Sequence, residues 1–576
     1  MNNNILNRLN DQQKSVCTSN NNIILTACPG SGKTRTITHR LAYLQEKYSP
    51  SRKLNIAITY TNRAADEISS RIEHMGIDCK SIWTGTIHQF CMHFIIRPYA
   101  MYSQRLSKGY HIIDDYISKK YQTEIAKKNG ITFNSYDNLL DYPIIANKYN
   151  HILEKNKEID FDSILKLSYD LLVSNYFISE NISSIIRSIH IDEYQDTTNY
   201  QYLIIAEIFK SNKKINMVFV GDVNQAIYGN LGGIAKSKAD IEQLFDVPFE
   251  SKNLSGCYRS TQNIIDYYTN FEIKNTGVYS VAKYKDLKGT IFYNKNINKT
   301  DLADEIAEII TQCLEIGISE EEICVIAPQW FQLYSISKSL KELLPKVSFD
   351  APDISPFKYD PLNPFFILAK LVFTESGKNI ILKKRLANDF LEILESEYRI
   401  SIPINYDCHT LLKKINSLKL GVHNQDGLTI FSKIVKEILL GLGTNLEQQP
   451  LLNTTYELYI EKANDRIDRH GLSRNYNDIM CFFKEKKGVV INTIHGIKGE
   501  EYKTVIGFDL LNGHLPHWNY ICDEKLKPYR TFETKKLLYV LTSRAKINLY
   551  LFSEKGRTTQ KGYPLTPTDE LSLNND

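Results

Sequence analysis

Two parallel, doubly wound α/β sheets are predicted by three features of this sequence. Apolar runs of strand length alternate with stretches carrying apolar residues at helical spacing. The alternation comes in two separate blocks, which argues for two sheets. The chain is also 576 residues long, beyond the roughly 250–300 residues at which a single core stops growing. Hydrophobic residues at 42% and charged residues at 24% lie near the globular average, excluding a disordered, collagen-like or fibrous chain. A net charge of +4 is too small to call for a polyanionic partner, so any nucleic-acid reading must rest on motifs.

The first block opens with a strand over Asn22–Thr26, a glycine-containing turn and a helix over Thr34–Tyr48. LNIAITYT followed by NRAADEISSRI repeats the pattern, as do SIHIDEYQ, TNYQYLIIAEIF and INMVFVGD. The second block holds EEICVIAP, VVINTIH, TVIGFDL and NLYLFS. Two Lys-, Tyr- and Asn-rich stretches without strand rhythm read as helical insertions. The expected divisions are a first lobe from 1–96 and 161–254 with insertion 97–160, and a second lobe from 255–349 and 489–554 with insertion 350–488. A Gly-, Thr- and Pro-rich tail over 555–576 is expected to be flexible. The ten cysteines show no C-x-x-C pair and read as reduced structural residues. No basic segment followed by an apolar one opens the chain, and the run Phe365–Phe373 is too short to span a bilayer. A soluble cytoplasmic protein with no membrane partner is expected.

Ala27-Cys28-Pro29-Gly30-Ser31-Gly32-Lys33-Thr34 ends a strand and opens a helix, so backbone amides and the helix N-terminus can wrap the phosphates of a nucleotide. Lys33 would neutralise the β and γ phosphates, and the Thr34 hydroxyl would hold Mg2+. Ile191-Asp-Glu-Tyr-Gln-Asp196 places Asp192 and Glu193 at the carboxyl end of a strand, where parallel sheets carry their chemistry. An isolated Asp-Glu pair is more often a solvated turn. After a phosphate loop, Asp192 reads as a Mg2+ ligand and Glu193 as the base for an attacking water. Gln225, following the strand in VGDVNQ, could touch both γ-phosphate and water.

These residues, in this order, resemble superfamily 1A helicases of the UvrD/Rep/PcrA family, collinearly from Leu9 to about Ser553. LNDQQ resembles the family's Q motif, TYTNRAADEI motif Ia, TGTIHQFC motif Ib, IDEYQD motif II and VGDVNQAIY motif III. GCYRST resembles motif IV, NTIHGIKGEEY motif V and KKLLYVLTSRAK motif VI. The resemblance implies two RecA-like P-loop NTPase domains, each with a mostly helical insertion, clasping ATP and Mg2+. It places Gln13 on adenine, Arg35 beside the nucleotide, Tyr258 stacked on the base, Glu501 on the ribose, and Arg259 and Arg544 at the γ-phosphate. It assigns Tyr60, Thr61, Asn62, Thr86, His88, Thr493 and His495 to DNA. His88 alone would more often be a structural histidine. The implied activity is ATP-driven 3′-to-5′ movement on single-stranded DNA or a 3′-tailed duplex.

The sequence departs from the family in motif III, where Asn230 and Leu231 replace a usual Trp and Arg. Cys257, Ser543 and Gly496-Ile497 are milder replacements. The short build is similar to the helicase subunit of the Gabija anti-phage system, which works beside a separate nuclease subunit. A repair motor, a defence motor and a nucleotide-gated DNA sensor that regulates a nuclease all remain open at this point. An RNA motor also remains open, because no motif reads a 2′-hydroxyl.

Overall fold

The computed structural model describes residues 3–572 apart from 78, 114, 134–137, 230–231, 352–354, 358–359, 361–362, 376–379, 422–424, 471, 484–487 and 560. Asn230 and Leu231 therefore lie outside the described residues. The first sheet contains β1 (Ile23–Ala27), β2 (Leu54–Thr59), β3 (Ile82–Thr86), β4 (Ile186–Asp192), β5 (Asn216–Gly221) and β6 (Glu250–Leu254). All pair in parallel, in the order β3-β2-β4-β5-β1-β6. Ile23, Leu25, Met217 and Phe219 are fully buried, as strands covered on both faces require. Thr26 pairs with Gly221 and Asp192 with Val220, so the carboxyl ends of β1, β4 and β5 lie side by side.

The second sheet contains β7 (Ile291–Asn294), β8 (Ile323–Ala327), β9 (Phe349–Asp350), β10 (Val489–Thr493), β11 (Tyr502–Gly507) and β12 (Ala545–Phe552). It is also parallel, in the order β7-β12-β11-β8-β10-β9. Of the strands that apolar runs do not announce, β3, β6, β7 and β9 all lie at sheet edges. Solvent on one side there relaxes the demand for Val, Ile and Leu.

The chain forms two compact units. One comprises Met1–Ile87, Ser179–Pro352 and Lys486–Asp576 and holds both sheets; the other comprises His88–Ile178 and Asp353–Glu485. The two insertions, expected as separate domains, thus make one body. Arg97 explains part of their cohesion, with Nη1 2.9 Å from Glu392 and Nη2 3.1 Å from the buried Glu397. The segment expected as a flexible tail is packed as far as it is described. Leu571 is buried, Asn512 Nδ2 donates to the Pro567 carbonyl at 2.9 Å, and Arg530 pairs with Asp569 at 2.5 Å. Its Gly and Pro content marked turns, and composition alone does not reveal a docked turn.

Helix α1 (Asp11–Thr18) is tied to the sheet through α2 (Lys33–Lys47) by one side chain. Arg40, 1% exposed, donates to the carbonyls of Val16, Cys17 (3.0 Å) and Ser19 (2.8 Å), and to Asn216 Oδ1 at 2.5 Å. The carbonyls at the end of α1 have no helical partner, so the guanidinium caps them. Arg40→Met should lower stability by about 2–4 kcal/mol, because it strands buried acceptors. Urea unfolding followed by tryptophan fluorescence reads the change, and an unshifted midpoint would mean that water satisfies these carbonyls.

Candidate nucleotide and nucleic-acid sites

The loop after β1 is shaped by two left-handed glycines, Gly30 (φ 71°) and Gly32 (φ 81°). A Cβ on Gly30 would come 2.5 Å from Arg259 Cβ and 3.0 Å from Cys257 Sγ, so the loop needs glycine for space as well as for conformation. Ser31 Oγ donates to the Cys28 carbonyl at 2.7 Å, and Tyr258 N donates to the Gly30 carbonyl at 2.9 Å. Ala27 closes β1, Pro29 rides the loop, and Lys33 and Thr34 open α2. Gln13 Nε2 donates to the Ser31 carbonyl at 3.0 Å, and Asn10 Nδ2 to the Tyr258 hydroxyl at 2.8 Å. Gln13 and Tyr258 thus flank one mouth of the loop. Arg35 points away from it, donating to the Arg8 carbonyl at 2.6 Å.

Lys33 Nζ lies 3.0 Å from Glu193 Oε1. Glu193 adopts a left-handed backbone (φ 52°) just past the end of β4, which turns its carboxylate toward the loop. Its Oε2 accepts from Gln195 Nε2 at 2.5 Å, and Asp222 N donates to Gln195 Oε1 at 3.1 Å. Asp222 Oδ2 accepts from Gln225 Nε2 at 2.7 Å, and Gln225 Oε1 accepts from Arg544 Nη2 at 2.8 Å. One polar chain therefore runs from the phosphate loop through Glu193, Gln195, Asp222 and Gln225 to an arginine at the amino end of β12, in the other sheet. Gln195 and Asp222 are links that the motif reading passed over, although both stand inside the strings it quoted.

The electrostatics are those of a cluster of opposed charges largely withdrawn from solvent. Burial, then the neighbouring Glu193, pushes the Asp192 carboxyl up. Burial would also raise Glu193, but Lys33 and Lys498 outweigh it and hold that carboxyl low. Burial likewise raises Asp222. Asp192, Glu193 and Asp222 surround Lys33, whose ammonium burial disfavours but the three carboxylates hold protonated. Asp192, Glu193, Asp196 and Asp222 thus share the cluster with Lys33, Lys498 and Arg544. A half-buried threonine hydroxyl and the Asp192 carboxylate are the hard oxygen donors that Mg2+ prefers. Among the described residues no group of three or more His, Cys, Asp or Glu forms a metal cage.

The second lobe presents its groups at the amino ends of its strands. Arg544, 1% exposed, also donates to the carbonyls of Val540 (3.0 Å) and Glu500 (3.3 Å). Burial first, and then Arg259, lowers its pKa to about 9. Arg259 Nε donates to Glu501 at 2.8 Å and Nη1 to the Ser543 carbonyl at 2.9 Å. Glu501, expected on a ribose, is held by Arg259 and by Lys546 at 3.3 Å. Those cations dominate its position.

Apart from His88, the residues expected on DNA lie at or just past the carboxyl ends of strands in both sheets. Tyr60, 38% exposed, follows β2 and stacks on Tyr228 with centroids 4.6 Å apart. Tyr228 donates to the His495 carbonyl at 3.2 Å, joining the two lobes. Thr86 ends β3 and Asn62 opens α3 (Asn62–His74). The Thr61 hydroxyl accepts from Ala64 N at 3.2 Å and caps α3, while Thr493 is 4% exposed and its hydroxyl accepts from Gly496 N at 3.1 Å. Both hydroxyls are engaged by backbone, because these turns need the caps. His88 belongs to the other unit, edge-on to Phe161 at 5.5 Å, and burial lowers its pKa to about 4. It is neutral at physiological pH and supplies no cation. Lys498 was not singled out in the sequence. Its Nζ contacts Asp196, lies 2.6 Å from the Gln225 carbonyl and stands 4.9 Å over the Tyr228 ring.

A family profile described as the UvrD/REP helicase N-terminal domain matches residues 9–141 and 115–245, and one described as the UvrD-like helicase C-terminal domain matches 445–556. The ATP-dependent DNA helicase PcrA of Staphylococcus epidermidis is 25% identical over 626 aligned residues, covering 95% of this chain and 83% of that protein. PcrA of Staphylococcus aureus is 24% identical over 630, with the same coverage. The profiles together span more than half the chain, on two parallel sheets whose facing ends share one polar network: the chain belongs to the UvrD/REP helicase family.

Proposed function

We propose that this protein is a Mg2+- and ATP-driven DNA helicase that moves 3′ to 5′ along single-stranded DNA. The observation that carries the reading is the continuous polar chain from Lys33 to Arg544, which makes the cleavage site a shared property of two lobes. In this reading the loop from Ala27 to Thr34 holds the triphosphate, and Lys33 leaves Glu193 for the β and γ oxygens. Thr34 and Asp192 would hold Mg2+, which would supply charge neutralisation on the phosphates. Glu193, freed of its lysine, accepts the proton of a water whose oxygen bonds to the γ-phosphorus as the bond to the ADP oxygen breaks. Arg544 and Arg259 balance the charge that builds on the transferring group, a contribution of about 10³–10⁵ in rate for such an arginine. Gln13 and Tyr258 orient the base.

Lys498 connects this chemistry to the strand. It touches Asp196, which follows Glu193 in the same turn, and the carbonyl of Gln225, and it lies over the ring that stacks on Tyr60. A base arriving at Tyr60 would shift Tyr228 and with it the cation that helps hold Glu193 ionised. We assign the protein to the cytoplasm, in DNA repair or anti-phage defence. The motif III departure at Asn230 and Leu231 favours a second reading, in which the ATPase senses DNA and governs a separate nuclease subunit while unwinding little.

Lys33→Ala should abolish ATP turnover, and Glu193→Gln should slow it by about 10²–10⁴ while retaining bound nucleotide. Hydrolysis by Glu193→Gln at the wild-type rate would remove Glu193 as the base. Lys498→Met should reduce stimulation by single-stranded DNA far more than unstimulated turnover; an equal loss in both would make Lys498 a structural residue only. Strand displacement on 3′-tailed against 5′-tailed duplexes tests polarity. ATP turnover without displacement of either selects the sensor.

A further inference from the structure

Arg63 belongs to the first turn of α3, in the first lobe, and its Nη1 donates to Oε1 of Glu500, which stands two residues before β11 in the second lobe. Tyr502, buried at the start of β11, donates its hydroxyl to Oε2 of the same carboxylate, so both oxygens are engaged. A cation in the first turn of a helix faces the positive end of the helix dipole, so Arg63 is not placed there for the benefit of α3. Its side chain is 82% exposed, and an ion pair so open to water adds little to folding. What the contact fixes is the position of Glu500.

Glu500 opens the short segment that holds both arginines of the second lobe. Its carbonyl accepts from Arg544 Nη1 at 3.3 Å, and Tyr502 N donates to the Arg544 carbonyl at 2.9 Å. Between these two residues, the Glu501 carboxylate accepts from Arg259 Nε at 2.8 Å. Glu500 N donates to the Ile497 carbonyl at 3.0 Å, and Gly499 takes a left-handed backbone (φ 92°). In so tight a turn the carboxylate and the carbonyl of Glu500 move together. On the first lobe, Arg63 is the next residue after 60–62, so the stretch expected on DNA leads directly into the contact.

We propose that Arg63 and Glu500 are positioning residues, forming a latch between the lobes that sets Arg544 and Arg259 for the transferring phosphate. The inference rests on the ATP-hydrolysis reading and adds to it the contact that places its arginines. With the latch shut, both guanidiniums are aimed before charge builds on the phosphate. With it open they are still present but misplaced, so the loss falls on turnover more than on nucleotide binding.

In the full-length protein at saturating oligo(dT), Glu500→Gln and Arg63→Gln should each lower kcat for ATP roughly 10-fold or more and move KM for ATP by less than about threefold. Arg63→Lys, which keeps the cation, should retain most of the turnover. The double variant Arg63→Gln/Glu500→Gln should be no slower than the worse single variant, because both act through one contact; losses that multiply would make the residues independent and overturn the latch. Thermal unfolding midpoints should stay near wild type, since the pair is open to water. Turnover lost in step with a lowered midpoint would make the pair a structural contact and overturn the positioning role. If Arg63→Gln only raises the oligo(dT) concentration for half-stimulation while Glu500→Gln is silent, Arg63 serves the strand alone and the latch is overturned. Wild-type turnover in both single variants also overturns it and leaves the motor reading in place. A wild-type protein without ATP turnover, with or without oligo(dT), removes that reading and the latch with it.

Discussion

Lys33 sits against Glu193, both only partly exposed, with the buried Asp192 and Asp222 close by, and the second lobe's Arg544 reaches the same network through Gln225. Buried carboxylates are costly, since desolvation raises the free energy of each charge and neighbouring anions repel. A fold that keeps this arrangement must hold its parts rigidly. Much of the surrounding construction serves that end. The left-handed turn at Glu193, the glycine approach of Arg259 to the loop and the side-by-side strand ends of β1, β4 and β5 each fix one member of the cluster.

The same cluster explains why two sheets are present. Parallel sheets offer functional groups at strand ends, and here the first sheet contributes its carboxyl ends while the second contributes its amino ends to the shared polar cluster. The carboxyl ends of the second sheet are thereby free for another ligand. Tyr228 and Lys498 lie where those surfaces meet. Lys498 is in contact with the acid that closes the catalytic turn, with a carbonyl of the Gln225 turn and with an aromatic ring. A single ammonium touching all three cannot move without changing each of them.

The insertions illustrate a different constraint. Among the described residues neither contributes to the polar cluster, yet they join into one body, with a large aromatic and aliphatic core in the second insertion, where Phe357 stacks on Tyr459 at 5.2 Å. The first insertion has a small core of its own around Ile125, Ile145 and Leu153. Arg97 bridges them through two glutamates, an interaction that geometry and burial make directional.

What the sequence by itself determined is local. The strand–loop–helix around Lys33, the acidic pair closing a strand and the apolar central strands follow from side-chain type, because a strand buried on both faces must be apolar and a phosphate loop must carry glycine. Edge strands such as β6, with ESKNL, were not legible, since half-solvated backbone places little demand on composition. Nor were the partners of long-range groups. No spacing announces that Glu501 takes Arg259, that the hydroxyls of Thr61 and Thr493 turn into caps, that Lys498 lies on Tyr228, or that residues past Lys555 dock. Those were decided by tertiary structure, because each depends on which charges and rings the folded chain brings within a few ångströms, and sequence order does not encode that distance.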